Sequence, residues 1–190
     1  MGHGGGFTYL LSSLLKTCNN LSVKAMKTKF KNKTEVLTYE LEGMYDAEKK
    51  WMAAFSEINP YISSHDLKKE MEKYAEQASE KRLKLKRIFS YLLSGPYKRK
   101  NKVIDAMLEE CRNTLSASSD FETNTAMAYH FFKQMIEYKT CSYSIAKSQA
   151  IELELEPVAD LLSEICAWEK EAHRSLMSAL KKMQAKALIM

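Results

Sequence analysis

Glu169 and His173 lie four positions apart in the periodic stretch 158–188, so on a helix they share one face and could chelate a single metal ion or contact each other. Glu48 follows Met44 by four residues and precedes Trp51 by three, which sets it beside an apolar face rather than opposite it. Glu137, flanked by Phe132, Ile136 and Tyr138, reads more readily as a boundary carboxylate hydrogen-bonded to a tyrosine than as a ligand. Glu48, Glu137, Glu169 and His173 together form the candidate metal set. Hard oxygen donors with an imidazole suit iron or manganese. A complete two-metal bundle site asks for more: inward carboxylates from four helices and a Glu-x-x-His pair on each of two. Of His3, His65, His130 and His173, none stands three residues after a glutamate. Glu70, Glu72, Glu76 and Glu80 are interleaved with lysines at spacings that suit solvated ion pairs.

A second chemistry is written in charge. Between Lys81 and Lys102 stand nine basic residues and no acid, in a chain of net charge +5. Lys81, Arg82, Lys84, Arg87, Lys98, Arg99, Lys100 and Lys102 are therefore candidates for binding nucleic acid or another anionic surface, although a solvated basic helix end is the default for such a run. No nucleophile elbow, phosphate loop, dinucleotide fingerprint or HExxH motif occurs. The eleven methionines are dispersed among leucines and suit an adaptable core better than a copper site.

The elements that must position these residues are helices. Val36, Leu37, Leu41, Met44, Tyr45, Trp51, Met52 and Phe55 recur at three- and four-residue steps from a start at Thr34 until Asn59-Pro60, which predicts a helix over 34–58. Ser63 to Asp66 offer N-caps for a second helix over 65–93, closed by Ser94-Gly95-Pro96. Val103, Ile104, Met107, Leu108 and Cys111 mark a shorter connector. Residues 124–153 and 158–188 give two more long helices, split at Glu154 to Pro157. Short first and last turns with a long central connection are the layout of an all-α, ferritin-like up-down four-helix bundle with one long crossover and a short connector helix.

Composition agrees. With 190 residues, 45% of them hydrophobic and 28% charged, but only 6 Gly and 3 Pro, the chain can bury one core without disulfides and is poor in turns, which excludes an all-β sandwich and a knottin. Cys18, Cys111, Cys141 and Cys166 make no zinc spacing and read as reduced, mostly buried thiols of a cytoplasmic protein. No stretch approaches a membrane span; Phe7 to Leu15 has the length of a signal-peptide core but lacks a basic n-region. Residues 1–33, glycine-rich and then lysine-rich, are set apart as an N-terminal basic arm, leaving 34–190 as the bundle.

Three segments resemble the YciF-like family, bacterial stress-associated proteins of the ferritin-like superfamily. Met44-Tyr45-Asp46-Ala47-Glu48-Lys49-Lys50 is similar to the family's L-Y-D-A-E-K-Q motif. Gln134 to Tyr138 with Tyr143 and Ala146 resemble its Q-x-x-E-H-Y-x-x-x-x-Y segment with the glutamate displaced by one position, and Leu161-Leu162-x-Glu164 through Glu169-Lys170-x-Ala172 to Leu176 resemble its last helix. The resemblance implies a ferritin-like fold, often a homodimer, with a metal role in which Glu48 and Glu169 are the metal-type carboxylates and His173 replaces an aspartate. It also implies losses. Tyr74, Gln77 and Lys81 stand in the places of the family's H-x-x-E-T-x-x-x-H donors, Trp168 replaces one glutamate and Ile136 another. A lysine at such a centre competes with cations. The expectation is a non-enzymatic, stress-related bundle with a degenerate di-metal centre, no cofactor, and an interior filled by Trp51, Trp168 and tyrosines; the alternatives are a reduced iron or manganese site and an anion-binding surface. With the site empty, Glu48→Ala is expected to cost no more than about 1 kcal/mol.

Overall fold

The computed structural model describes residues 30–95 and 99–187. The arm before residue 30 and Lys98 lie outside them. Five α-helices occupy these residues: α1 (Lys33–Ile58), α2 (His65–Tyr91), α3 (Lys102–Ser116), α4 (Phe121–Glu152) and α5 (Glu156–Ala187), with a 3-10 turn at Asn59–Tyr61. The first four starts have a local cause. Asn32 accepts from the Glu35 N–H at 2.8 Å, Ser64 from Leu67 at 3.3 Å, Asn101 from Ile104 at 3.1 Å and Asp120 from Thr123 at 2.7 Å, each relieving an otherwise unpartnered first-turn donor. The Asp120 cap starts α4 three residues before the expected 124, and Asn32, not Thr34, caps α1.

α1 runs to the turn at 59–61, α2 returns, α3 carries the chain back, and α4 and α5 complete the bundle. Ser63 donates to the Thr125 hydroxyl at 2.8 Å at one end, and Lys33 pairs with Glu152 at the other, so α4 runs antiparallel to α1. The expected ferritin-like bundle with one long crossover is what forms.

The crossover is fastened to α1 by the motif around Asp46. Asp46 accepts the Asn101 N–H at 2.9 Å and meets Lys50 at 2.5 Å and Lys100 at 3.4 Å, while Asn101 donates to the Gly43 carbonyl at 3.1 Å and to the Tyr138 hydroxyl at 3.0 Å. Arg99 lies over the Tyr39 ring at 3.8 Å, donates to the Tyr39 carbonyl at 3.0 Å and pairs with Glu40 at 2.9 Å. A Cβ at Gly43 would stand 3.1 Å from the Arg99 guanidinium, so the bare backbone there makes room for the clamp.

The core is in two apolar halves. Trp51, Leu67, Met71, Tyr74, Phe132 and Leu176 belong to one, and Leu37, Leu41, Leu85, Phe89, Tyr143 and Leu162 to the other. Trp51 stacks on Phe132 with centroids 5.3 Å apart and meets the edge of Tyr74 at 5.7 Å. Trp168, expected inside, is half-buried at the surface, where Lys84 lies 5.0 Å from its ring. Among the described residues no helix is long and apolar enough to cross a membrane.

Two chain reversals use left-handed residues that are not glycine, Leu93 (φ 49°) after α2 and Glu154 (φ 57°) after α4. Leu93 is 95% exposed, so its side chain gives little in return for that conformation. Leu93→Gly is therefore expected to raise stability by about 0.5–1 kcal/mol. Urea unfolding checks this; an unchanged or lowered midpoint would refute it.

Candidate metal centre

Between the apolar halves lies a layer of four charged side chains with no solvent exposure: Glu48 on α1, Lys81 on α2, Lys139 on α4 and Glu169 on α5. Helical spacing puts them there. Glu48 sits between Met44 and Trp51, Lys81 between Ala78 and Leu85, and Lys139 between Ile136 and Tyr143, each on its helix's buried stripe. The arrangement repeats with near two-fold regularity. Glu48 accepts from Lys139 at 2.6 Å and from the Tyr143 hydroxyl at 2.7 Å; Glu169 accepts from Lys81 at 2.7 Å and from the Tyr74 hydroxyl at 2.5 Å. Lys139 also lies 3.6 Å from Glu169, joining the two halves of the layer. Both amines stand near the Tyr74 ring, Lys81 at 4.0 Å and Lys139 at 4.4 Å from its centroid.

Burial of unpaired ions is prohibitive, so pairing here is a condition of folding. Burial by itself pushes the Glu169 carboxyl up, but Lys139 and Lys81 outweigh it and leave it below the usual carboxylate value. Burial and the neighbouring Lys139 hold Lys81 below an ordinary lysine. Burial and then the two carboxylates raise Tyr74 and Tyr143 well above ordinary phenols, which keeps both hydroxyls protonated as donors.

The donor set does not fit a pair of metal ions. All four carboxylate oxygens are engaged by the chain's own donors, and where a two-metal bundle brings carboxylates and imidazoles from its other two helices, α2 and α4 bring amines. Among the described residues no group of three or more His, Cys, Asp and Glu converges to hold a metal ion.

Of the sequence-derived candidates, the structure brings Glu48 and Glu169 into this layer. Glu137 and His173 it places elsewhere: they pair with each other at 3.0 Å, with side chains 55% and 38% exposed, on the outside of the α4–α5 seam. His173 thus contacts the acid of a neighbouring helix rather than Glu169 on its own. Lys139 escaped the sequence reading altogether. Its signal was present, a lysine seven residues after Phe132 and four before Tyr143 on an otherwise apolar stripe. Lys81 was legible as the replacement for a donor and was also counted in the basic run.

The described residues of that run do not share one surface. Lys81 is interior; Arg82 donates to the Tyr45 hydroxyl at 3.2 Å; Lys84 pairs with Glu164; Arg99 and Lys100 clamp the crossover. Arg87 and Lys102 are exposed, on different elements. Burial pushes the Cys111 thiol up to about 12 and raises that of Cys166, while Cys141 is exposed.

A family model described as "Domain of unknown function (DUF892)" matches residues 32–188. Among solved structures, the E. coli stress protein YciF superposes with a TM-score of 0.76 at 18% identity, over 82% of this chain and 99% of that one. The protein YcfI from Rhodopseudomonas palustris superposes with a TM-score of 0.75 at 19% identity, over 79% and 96%. No curated protein matches.

Two outcomes follow from the buried layer. Because Glu48 is fully buried, the sequence expectation for Glu48→Ala is corrected: the variant leaves Lys81 and Lys139 facing the single carboxylate of Glu169, one buried positive charge in excess, and is expected to lose about 3–5 kcal/mol, whereas Glu48→Leu combined with Lys139→Met should recover most of that loss. Equal instability of the single and double variants in urea unfolding would refute the pairing. The depressed Glu169 carboxyl contributes stability that is complete above its unfolded value, near 4.5, and is lost as pH falls through its lower folded value. Unfolding midpoints should thus drop on acidification below about pH 4.5, and less steeply when Glu169→Leu and Lys81→Met are combined; parallel profiles would contradict this.

Proposed function

We propose a structural rather than catalytic role for this chain, which belongs to the family described as "Domain of unknown function (DUF892)" and is YciF-like: a ferritin-like bundle whose di-metal centre is degenerate. One observation carries the reading. The two carboxylates that the family resemblance marks as metal-type, Glu48 and Glu169, spend every oxygen on Lys81, Lys139, Tyr74 and Tyr143. A divalent cation entering the layer would have to displace these donors and approach two amines at close range in an apolar interior.

The stress-related part of the proposal comes from YciF, described as a stress protein, whose fold this chain shares. A cytoplasmic location accords with cysteines that suggest no disulfide framework, and a homodimer is carried over from the family resemblance. The anion-binding alternative is weakened because most of the described basic residues in the run are engaged by acids, rings or carbonyls of the same chain. The alternative iron or manganese site would retain only Glu48 and Glu169 from its candidate set in one place.

Metal analysis by mass spectrometry tests the proposal, on tag-free protein before and after anaerobic incubation with ferrous iron, manganese and zinc, with thermal melts of each sample. No stoichiometric metal and no shift in Tm are expected. Two metals per chain with a raised Tm would overturn the reading.

A further inference from the structure

The misfit between this centre and a metal pair has a definite form. Glu48 and Glu169 come from α1 and α5. Among the described residues, the Lys139 Nζ, 2.6 Å from the first and 3.6 Å from the second, is the one cation within ion-pair distance of both. Lys81 forms its ion pair with Glu169 and feels Glu48 only from farther away. Resting on the metal-free reading above, we infer that the Lys139 amine does the work of a bridging cation, holding two buried carboxylates together, and that its removal turns the layer into a site for a divalent, oxygen-preferring cation.

Charge and ligand chemistry both lead there. With Lys139 gone, two carboxylates face one amine, an excess negative charge inside an apolar core with no solvent exposure. Glu48 Oε2 loses its partner and Glu169 Oε1 keeps only Lys81, which leaves carboxylate oxygens from two helices turned toward the vacated space. The Tyr143 and Tyr74 hydroxyls stay on the remaining oxygens and orient both carboxylates. A manganese ion admits carboxylate ligands supplemented by water, for which a truncated lysine leaves room. The competing response is uptake of a proton by the layer, which removes the excess charge without any metal. The two responses are separable by experiment.

Lys139→Ala is compared with the wild type and with Glu48→Gln/Lys139→Ala, which has the same vacated space but one carboxylate balanced by one amine. Each is melted in buffer, in manganese and in manganese followed by a chelator, and metal content is measured after desalting. The wild type should show neither bound manganese nor a shift. Lys139→Ala should retain manganese and gain several degrees in Tm, reversed by the chelator; the double variant should do neither. An unshifted Lys139→Ala, or a shift of the same size in the double variant, would overturn the inference and leave the metal-free reading of the wild type intact. Manganese retained by the wild type would instead sink that reading and this one with it. Refolding from urea with and without manganese covers a Lys139→Ala variant unfolded without metal: recovery in manganese alone supports the inference, and no recovery in either overturns it.

Discussion

Two ionised carboxylates cannot sit in the apolar middle of a helical bundle without something positive between them. In this chain the positive charge is supplied by lysines on α2 and α4, and the rest of the interior is arranged around that fact. Tyrosines close the remaining oxygens, Tyr74 in one apolar half and Tyr143 in the other, so each phenol has its ring in the hydrophobic core and its hydroxyl in the charged layer. The aromatic group of Trp51, Tyr74 and Phe132 then covers one side of the layer and keeps its dielectric low, which strengthens the pairing it encloses.

The motif around residues 44–50 shows how one short segment can serve several tasks. Tyr45 packs edge-on against Phe89 at 6.2 Å and takes a hydrogen bond from Arg82; Asp46 holds the crossover through Asn101; Glu48 enters the charged layer; Lys50 reaches Asp46 and Asp105. A resemblance in such a segment reports the bundle and its crossover at least as strongly as it reports a metal. Such a segment can carry a family signal while α2 and α4 bring amines to the same layer.

Much of this was legible in the amino-acid order. Helix periodicity and stop signals located the long helices to within a few residues, and the spacing of Glu48 against Met44 and Trp51 marked it as inward. The cap at Asp120 was missed because the polar break before Asn124 offered several candidates of similar quality. Lys139 was missed for a different reason: a lysine is ordinarily assigned to the surface, and the acid that justifies its burial lies 91 residues away in sequence. The pairing of Glu137 with His173 across helices was equally invisible, since side chains on separate helices meet through packing that one-dimensional spacing does not encode. Charge density misled in the opposite direction, because nine basic residues in a short stretch look like a surface until a fold distributes the described ones over an interior, a helix flank and a crossover clamp.

The charged layer also fixes the axial register of the helices. Apolar side chains are interchangeable enough that one greasy stripe can slide along another by a helical turn of about 5.4 Å and still find contacts. Glu48, Lys81, Lys139 and Glu169 tolerate no such slip, since a displacement of that size would exceed every one of their hydrogen-bond distances and strand four charges together. The four long helices are therefore keyed to one another at a single level, as a bolt through four plates fixes their holes, and both apolar halves inherit their alignment from it.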